Sequence, residues 1–424
     1  MTLTAGLVLA LRGENRRIYL PGTTSAGHHQ IEDDCNACHE AFAGVKQDAC
    51  LGCHRDELGE LDAHRPEKFN NPRDFWMLER IDARRCTSCH GEHEPDVTGV
   101  MGVTLPADFC FGCHADIGKE RPSHTGFQAT GCAATGCHRY HDNSALYEDF
   151  IARHLNEPAT RAGAVVPARD PRATFAATGR RLGGALTRTA SDAPQTSATK
   201  VVLDEWEASS HAAAGVNCGG CHAPAGAKWS DHPEPAACKG CHERELEGFL
   251  AGRHGMRLDR GLSAMTPSLA RLPMKEAASH AELDCSSCHG AHRFETQRAA
   301  VEACLGCHDD RHSLAYEASV HARLWREEIA GRAPAGSGVS CATCHLPRHT
   351  VDGNGRSLVR VEHNQNDNLR PNDKFVRGVC LACHGLGFSF DALADENLIA
   401  ANFRGRPAAH VKTLDMVGAR KRSD

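Results

Sequence analysis

Apolar residues recur at helical spacing in a few short stretches of this 424-residue chain, and no stretch shows the alternation of a half-buried strand. In the longest stretch, Leu314, Val320, Leu324 and Trp325 share one side of a helix, with His321 nearby. Gly, Pro and polar residues fill much of the remaining chain. The pattern predicts a mainly α structure with much irregular chain and little or no sheet. The predicted helices span 145–155, 203–214, 243–252, 313–330 and 392–403.

The composition is unusual in its reactive side chains. There are 22 cysteines and 28 histidines, whereas aromatic residues make up only 5% of the chain. A chain of this length is long enough for two or three domains, and it would normally build its core from aliphatic and aromatic side chains. Another apolar group must therefore contribute to the core. The formal net charge of −6 and the lack of a basic face argue against nucleic-acid binding.

Every cysteine belongs to a pair, and a histidine directly follows the second cysteine of every pair. Ten pairs have the form C-x-x-C-H, which is typical of covalent haem attachment. Two thiols add across the vinyl groups of one porphyrin, and the adjacent histidine becomes the proximal iron ligand. The eleventh pair has four small residues between its cysteines, but its Cys-His step is intact. We therefore predict eleven haem c groups.

These cysteine pairs and their proximal histidines are Cys35, Cys38 and His39; Cys50, Cys53 and His54; Cys86, Cys89 and His90; Cys110, Cys113 and His114; Cys132, Cys137 and His138; Cys218, Cys221 and His222; Cys238, Cys241 and His242; Cys285, Cys288 and His289; Cys304, Cys307 and His308; Cys341, Cys344 and His345; and Cys380, Cys383 and His384.

Zinc binding and disulfide pairing are the alternatives to haem attachment. An even number of cysteines permits a disulfide framework, and paired C-x-x-C can hold zinc. Neither chemistry requires a histidine after every second cysteine, and histidine occupies only 28 of 424 positions. Haem attachment is the favoured interpretation, and the alternatives keep most weight at Cys132 and Cys137.

After the eleven motif histidines are assigned, 28 − 11 leaves 17 histidines, which is ample for a second axial ligand on every iron. Two imidazoles make a haem low-spin and closed to substrate, which suits electron transfer. Five of the 17, namely His28, His232, His312, His349 and His410, are interpreted as surface or supporting residues. The twelve candidates for distal ligands are His29, His64, His93, His124, His141, His154, His211, His254, His280, His292, His321 and His363.

Short repeats and an uneven spacing of the motifs indicate the domain organisation. The segment A-C-x-G-C-H recurs at Cys50, Cys238 and Cys304, which indicates duplication of haem-binding units. Five motifs precede a long stretch without cysteine or histidine, and six follow it. The predicted parts are an arm or truncated signal or anchor remnant (1–23), a five-haem domain (24–155), a linker or strap (156–200), a six-haem domain (201–390) and a C-terminal helix and tail (391–424).

Haem attachment to C-x-x-C-H takes place outside the bacterial cytoplasm, so a periplasmic location is predicted. The N-terminus shows only a short apolar run, residues 3–11, without the basic flank of a signal peptide. We expect that the front of a signal or anchor segment is missing, which leaves membrane attachment open. A short apolar arm is the alternative.

The first cluster, roughly residues 27–154, resembles the low-potential class III multihaem cytochromes. The resemblance rests on the H-H-x5-C-x-x-C-H start at His28 and on Cys-His-Gly-Glu-His ending at His93. It implies small haem-packed domains with bis-histidine irons.

The second cluster, roughly 203–390, is similar to the superfamily of hydroxylamine oxidoreductase, cytochrome c nitrite reductase and the tetrahaem quinol-oxidising cytochromes. Trp206-Glu-Ala-Ser-Ser-His211 ahead of Cys218 and Ser319-Val-His321 ahead of Cys341 carry this resemblance. Two departures argue against catalysis. No motif ends in the lysine common in those nitrite reductases, and Tyr316 is the sole tyrosine in the cluster.

The favoured hypothesis is a periplasmic electron conduit. Its expected donor is a quinol dehydrogenase or a soluble cytochrome, and its expected acceptor is a terminal reductase or an outer-membrane complex. The rival is a multihaem oxidoreductase of a small nitrogen or sulfur oxyanion with one open haem in the second cluster. A structural subunit of a respiratory complex or filament is a third hypothesis.

Overall fold

The structure is a computed structural model, and it describes residues 19–40, 43–55, 58, 64–79, 81–121, 124–126, 139–142, 148–176, 182–353, 356–412, 414–415 and 418. Short helices and irregular chain make up most of it, and the strands form only small hairpins. The predicted mainly α class with little sheet is confirmed.

The chain divides into two compact units. The first contains residues 1–161, 370–396 and 406–424, and the second contains residues 162–369 and 397–405. The first unit therefore recruits a C-terminal segment that carries the motif ending at His384. The predicted division, in which that motif belongs to 201–390, differs from this arrangement.

The helices of the first unit are α1 (Gln47–His54), α2 (Phe75–Leu78), α3 (Ile117–Glu120), α4 (Glu148–His154), α18 (Asn372–Gly378) and α19 (Leu386–Ala394). Those of the second unit are α5 (Pro171–Ala176), α6 (Lys200–Glu207), α7 (Ser210–Ala213), α8 (Gly219–His222), α9 (Ala236–Ala251), α10 (Met256–Asp259), α11 (Cys285–His289), α12 (Thr296–Ala300), α13 (Glu302–Cys307), α14 (Arg311–Ala315), α15 (Val320–Ile329), α16 (Cys341–His345) and α17 (Asn366–Leu369). Helix α20 (Glu396–Ala400) lies where the chain passes from one unit to the other.

Single 3-10 turns connect many of these helices. They are His29–Ile31, Cys35–Ala37, Pro66–Asn70, Pro72–Asp74, Cys86–Ser88, Val100–Gly102, Phe109–Gly112, Arg188–Ala190, Pro224–Gly226, Pro267–Leu269, Glu276–Ala278, Tyr316–Ala318 and Cys380–Ala382.

Two antiparallel hairpins are the sheets of the described chain. Strands β1 (His39–Glu40) and β2 (Gly44–Val45) pair in the first unit. In the second unit β3 (Arg348–Gly353) pairs with β4 (Arg356–Val361), with Arg348 opposite Val361.

Serine side chains break two of the predicted helices into shorter ones. Ser209 accepts a hydrogen bond from the amide of Ala212 and so starts α7, which separates it from α6. Ser319 does the same for α15 by accepting from the amide of Ala322. A serine at this position satisfies an amide that would otherwise lack an acceptor. The stretches 203–214 and 313–330 are therefore helical, but each is interrupted.

The other three predicted helices also differ at their ends. Helix α9 begins well before residue 243 and includes its haem motif. The stretch 392–403 contains the end of α19 and all of α20. Helix α4 lies within 145–155, of which residues 145–147 are outside the described chain.

The apolar core of the first unit is one cluster that explains why the C-terminal segment joins it. Ile151 of α4 packs with Val376 of α18 and with Leu386 and Phe390 of α19. Leu386 and Val376 are fully buried. Because α18 and α19 flank the motif ending at His384, their burial against α4 fixes that motif in the first unit.

The second unit has a smaller apolar cluster beside two of its haem motifs. Val301, Tyr316 and Ala322 are buried together, and Leu305 and Cys341 of neighbouring motifs pack against them. Leu314 and Val320 are more than half exposed, at 55% and 51%, so they are not part of the packed helix side that the sequence predicted.

Residues 162–200, which the sequence predicts as part of a linker or strap, belong to the second unit. The amide of Val166 donates to the carbonyl of Gly336 at 2.8 Å, and the amide of Leu186 donates to Ala212 at 2.9 Å. The close approach of Gly183 and Gly215 depends on glycine, because a Cβ on Gly215 would lie 2.6 Å from the Cα of Gly183. The described parts of this stretch therefore contact the rest of their own unit.

None of the helices in the described ranges has the length and apolar character that a membrane crossing requires. Most of the predicted N-terminal arm or anchor remnant, residues 1–18, lies outside the described chain.

Phe390→Ala should destabilise the holoprotein by about 3–5 kcal/mol, because it leaves a cavity in the core of the first unit. Denaturant unfolding followed by circular dichroism measures the change. Phe75→Ala is the matched control, since Phe75 is 50% exposed in the same unit, and it should cost less than about 1 kcal/mol. Equal losses for both variants would contradict the assigned core.

Candidate haem-binding sites

Each described motif folds as one helical turn that gathers its three reactive side chains. In the motif of Cys86, the amides of Cys89 and His90 donate to the carbonyl of Cys86 at 3.1 and 2.9 Å. Residues three and four positions apart lie on one side of a helical turn. Both thiols and the imidazole can therefore face one porphyrin. Ten motifs lie within the described residues. The eleventh, with Cys132, Cys137 and His138, lies outside them.

The cysteines of these ten motifs are not joined in disulfide bonds within the described ranges. The same ranges contain no group of three or more His, Cys, Asp or Glu side chains that could hold a metal ion.

A second histidine faces the motif histidine in nine of the ten described motifs. The ring centroids of each pair are 5.9–6.4 Å apart. A metal bonded at about 2 Å to one nitrogen of each imidazole separates two ring centroids by about 6 Å. The residues therefore fit an iron held between two imidazoles.

Four pairs lie in the first unit and five in the second. The five pairs of the second unit include every motif histidine of that unit. The pairs, motif histidine first, are His39 and His93, His54 and His28, His90 and His141, His114 and His64, His222 and His292, His242 and His211, His289 and His363, His308 and His254, and His345 and His312.

His384 is the tenth described motif histidine. Its ring stacks on Phe388 with centroids 4.9 Å apart. Its Nδ1 lies 2.8 Å from the carbonyl oxygen of Ala159.

Seven of the twelve histidines predicted as distal ligands face a motif histidine: His64, His93, His141, His211, His254, His292 and His363. The other five, His29, His124, His154, His280 and His321, are not among the nine pairs, and their ligand role stays a prediction. Their surroundings differ. His154 contacts Phe150 and lies 2.7 Å from Glu157, whereas His280 is exposed.

Two histidines that the sequence analysis placed at the surface are brought to motif histidines instead. His28 faces His54, and its Nδ1 is 2.6 Å from Glu92, while the neighbouring His29 contacts the carbonyl of Ala26. His312 faces His345. The sequence signal that could have identified His312 is its position four residues after His308, because His93 and His292 also lie shortly after a motif histidine.

The remaining histidines interpreted as surface residues have other neighbours. His349 uses Nε2 to contact Asn368 at 3.3 Å. His410 lies between Asp391 and Asp415, which together raise its pKa. His232 is exposed.

Backbone carbonyls orient many of the paired imidazoles through Nδ1, which leaves Nε2 for the iron. The acceptors are Tyr140 for His64, Gly22 for His93, Gly102 for His90, Ser230 for His222, Ile399 for His312 and Val361 for His363, at 2.5–3.2 Å.

Burial keeps several of these imidazoles neutral. Desolvation, and to a smaller extent nearby histidines, lower the pKa of His254, His289 and His345 to about 4. Neutral imidazole is the form that binds metal. The local environment therefore favours ligation at neutral pH.

The pairing scheme is the same in two sets of three consecutive motifs, one at the start of each cluster. In the first set, His28 precedes the motifs and pairs with the second one, while His93 follows the third motif and pairs with the first. In the second set, His211 and His292 hold the corresponding positions. His93 and His292 both adopt left-handed backbone, with φ of 65° and 63°. The duplication inferred from short sequence repeats therefore extends to the pairing of histidines.

Consecutive motifs also touch through their first cysteines. The thiols of Cys50 and Cys86, of Cys238 and Cys285, and of Cys304 and Cys341 lie within hydrogen-bonding reach of each other. Gln47 strengthens the first contact, because its Oε1 accepts from both the amide and the thiol of Cys86, at 2.8 and 3.2 Å.

The family model for cytochrome c3 matches residues 27–115 and 278–354 of this chain. Together with the motifs, this similarity supports a multihaem c-type cytochrome of the class III kind that takes part in electron transfer. The second matched segment lies in the part that resembles the hydroxylamine oxidoreductase superfamily. The match does not extend to that superfamily, so the second resemblance stays a prediction.

His312→Gly should convert one haem of the holoprotein to a high-spin state, because it removes the imidazole facing His345. Electron paramagnetic resonance measures the spin state, and added imidazole should restore the low-spin signal.

His349→Gly is the matched control. It removes an imidazole of the same unit that lies outside the nine pairs and contacts Asn368, and it should leave every haem low-spin. A low-spin spectrum for both variants would contradict the ligand assignment of His312.

Proposed function

We propose that this protein is a periplasmic electron conduit that carries eleven haem c groups with two histidine ligands on each iron. The observation that carries the proposal is the set of nine histidine pairs at iron-spanning distance. A haem iron exchanges one electron between its ferrous and ferric states. When two imidazoles occupy both axial positions, no position is left for a substrate.

The contacts between motifs support transfer from haem to haem. Each cysteine that touches its counterpart in the next motif would bear a porphyrin edge. The pairs Cys50 and Cys86, Cys238 and Cys285, and Cys304 and Cys341 would therefore bring consecutive porphyrin edges together. Electron tunnelling falls steeply with distance, so such edge contacts favour rapid transfer.

The proposed partners are redox proteins that donate electrons to this chain or accept electrons from it. A quinol dehydrogenase or a soluble cytochrome would donate electrons, and a reductase or an outer-membrane complex would accept them. The net charge of −6, with the haem propionates added to it, favours docking against basic patches of those partners. Haem attachment outside the cytoplasm is the reason for proposing a periplasmic location.

The surroundings of Tyr316 give no support to the rival catalytic role. Its hydroxyl donates to the carbonyl of Val339 at 2.9 Å, and its ring is buried with Val301 and Ala322. These contacts hold the chain that enters the motif of Cys341. The side chain is thus engaged in packing this motif against its neighbour.

The proposal predicts that the oxidised holoprotein contains only low-spin irons, because every axial position is filled by imidazole. Low-temperature electron paramagnetic resonance tests this, with the haem count established by intact mass. His312→Gly provides the positive control for detecting one high-spin iron among eleven.

A high-spin signal from about one iron in eleven in the unmodified protein would contradict the conduit proposal. Voltammetry of the adsorbed protein adds an independent readout. Reversible waves without catalytic current in nitrite, hydroxylamine or tetrathionate are expected, whereas a catalytic current would favour the oxidoreductase.

A further inference from the structure

Glu92 accepts three hydrogen bonds in the first unit, one of them from a paired histidine. Its Oε1 accepts from Nδ1 of His28 at 2.6 Å and from the hydroxyl of Ser25 at 2.8 Å, and its Oε2 accepts from the amide of Ser25 at 2.6 Å. The side chain is only 25% exposed. Three donors thus converge on the two oxygens of one carboxylate, and this arrangement stabilises the ionised form. The hydrogen bonds also hold the carboxylate in place against His28.

The backbone around Glu92 brings it to a histidine of a different motif. Glu92 lies two residues after His90, in the turn that ends at His93. Gly22 lies against this turn, because a Cβ at Gly22 would be 2.5 Å from the carbonyl oxygen of His93. His93 in turn contacts the carbonyl of Gly22 through Nδ1 at 2.8 Å. The segment carrying Ser25 and His28 is thereby fixed beside Glu92.

A carboxylate at Nδ1 distinguishes His28 from the six paired histidines whose Nδ1 contacts a backbone carbonyl, as described above. The ion pair between His308 and Asp310 is longer, at 3.6 Å, and lies outside hydrogen-bonding distance. A carboxylate carries a full negative charge, so its hydrogen bond withdraws the Nδ1 proton more strongly than a carbonyl does.

The duplicated half of the chain supplies an internal comparison. His211 takes the place of His28 in the second set of motifs, and the residue corresponding to Glu92 in Cys-His-Gly-Ala-His is Ala291. Nδ1 of His211 is buried and makes no hydrogen bond to the described residues. The two copies thus share the imidazole pair and differ in the group beside Nδ1 of His28 and of His211.

We propose that Glu92 is a redox-tuning residue, which gives His28 anionic character and lowers the reduction potential of the haem bound by Cys50, Cys53 and His54. The inference rests on the proposed two-histidine ligation. A more basic ligand stabilises ferric over ferrous iron, and hydrogen-bonded partners of a ligating histidine act in this way. Glu92 acts through His28 and is a positioning and tuning residue.

Glu92→Gln tests the proposal because it keeps the shape and removes the charge. In a spectroelectrochemical titration of the holoprotein, one component in eleven should shift to higher potential while the others stay unchanged. The low-temperature g values of one low-spin signal should change with it. Intact mass should still show eleven haems.

Glu94→Gln is the matched control, since Glu94 is exposed and lies two residues further along the same turn. It should titrate as the unmodified protein does. The proposal is overturned if Glu92→Gln titrates unchanged, or if Glu94→Gln causes the same shift.

Failure of the tuning role and failure of the ligation give different results. A high-spin signal in Glu92→Gln alone would show that Glu92 keeps His28 on the iron, which overturns tuning but supports ligation. A high-spin signal already present in the unmodified protein would instead count against the two-histidine ligation itself.

Discussion

The separation of paired imidazoles is the constraint on which the rest of this structure depends. In the proposed ligation, the two rings would lie on opposite faces of a porphyrin, and one of them directly follows a cysteine pair. The second ring often comes from distant sequence, as His363 does for His289. Each proposed iron would then close a loop of chain, and the free energy of ligation would become folding free energy. Ligation would in this way add long-range links to the small apolar clusters.

The backbone meets this constraint with short elements and sharply defined ends. Capping boxes at Asp284 and Ser340 start α11 and α16 at the first residue of a motif, so the helical turn coincides with the cysteine spacing. Left-handed residues such as His93 and His292 reverse the chain directly after a motif and direct a second imidazole to an earlier one. Long helices would place neighbouring motifs too far apart for their porphyrins to lie close together, which accounts for the abundance of single turns.

The sequence predicts the local part of this arrangement better than the long-range part. The cysteine pairs and the mainly α character follow from spacing, because they depend on residues within one turn. Distance along the sequence could not show whether His28 or His29 faces His54. That depends on the contact with Glu92, which holds the His28 ring towards His54. His312 was missed for a similar reason, because its partner His345 belongs to the next motif. The motif of His384 was grouped by proximity along the chain, whereas burial of Val376 and Leu386 against α4 decides its unit.

Duplication explains how one pairing scheme serves two parts of the chain, but it also creates a difficulty. Identical ligands around similar haems would give similar potentials, so any difference must come from burial, hydrogen bonds and nearby charge. The exchange of Glu92 for Ala291 is such a difference, and it changes the group at Nδ1 of a paired histidine without disturbing the imidazole pair. In the proposed conduit, the two copies would therefore acquire distinct potentials through substitutions beside the paired histidines, while the separation within each pair stays the same.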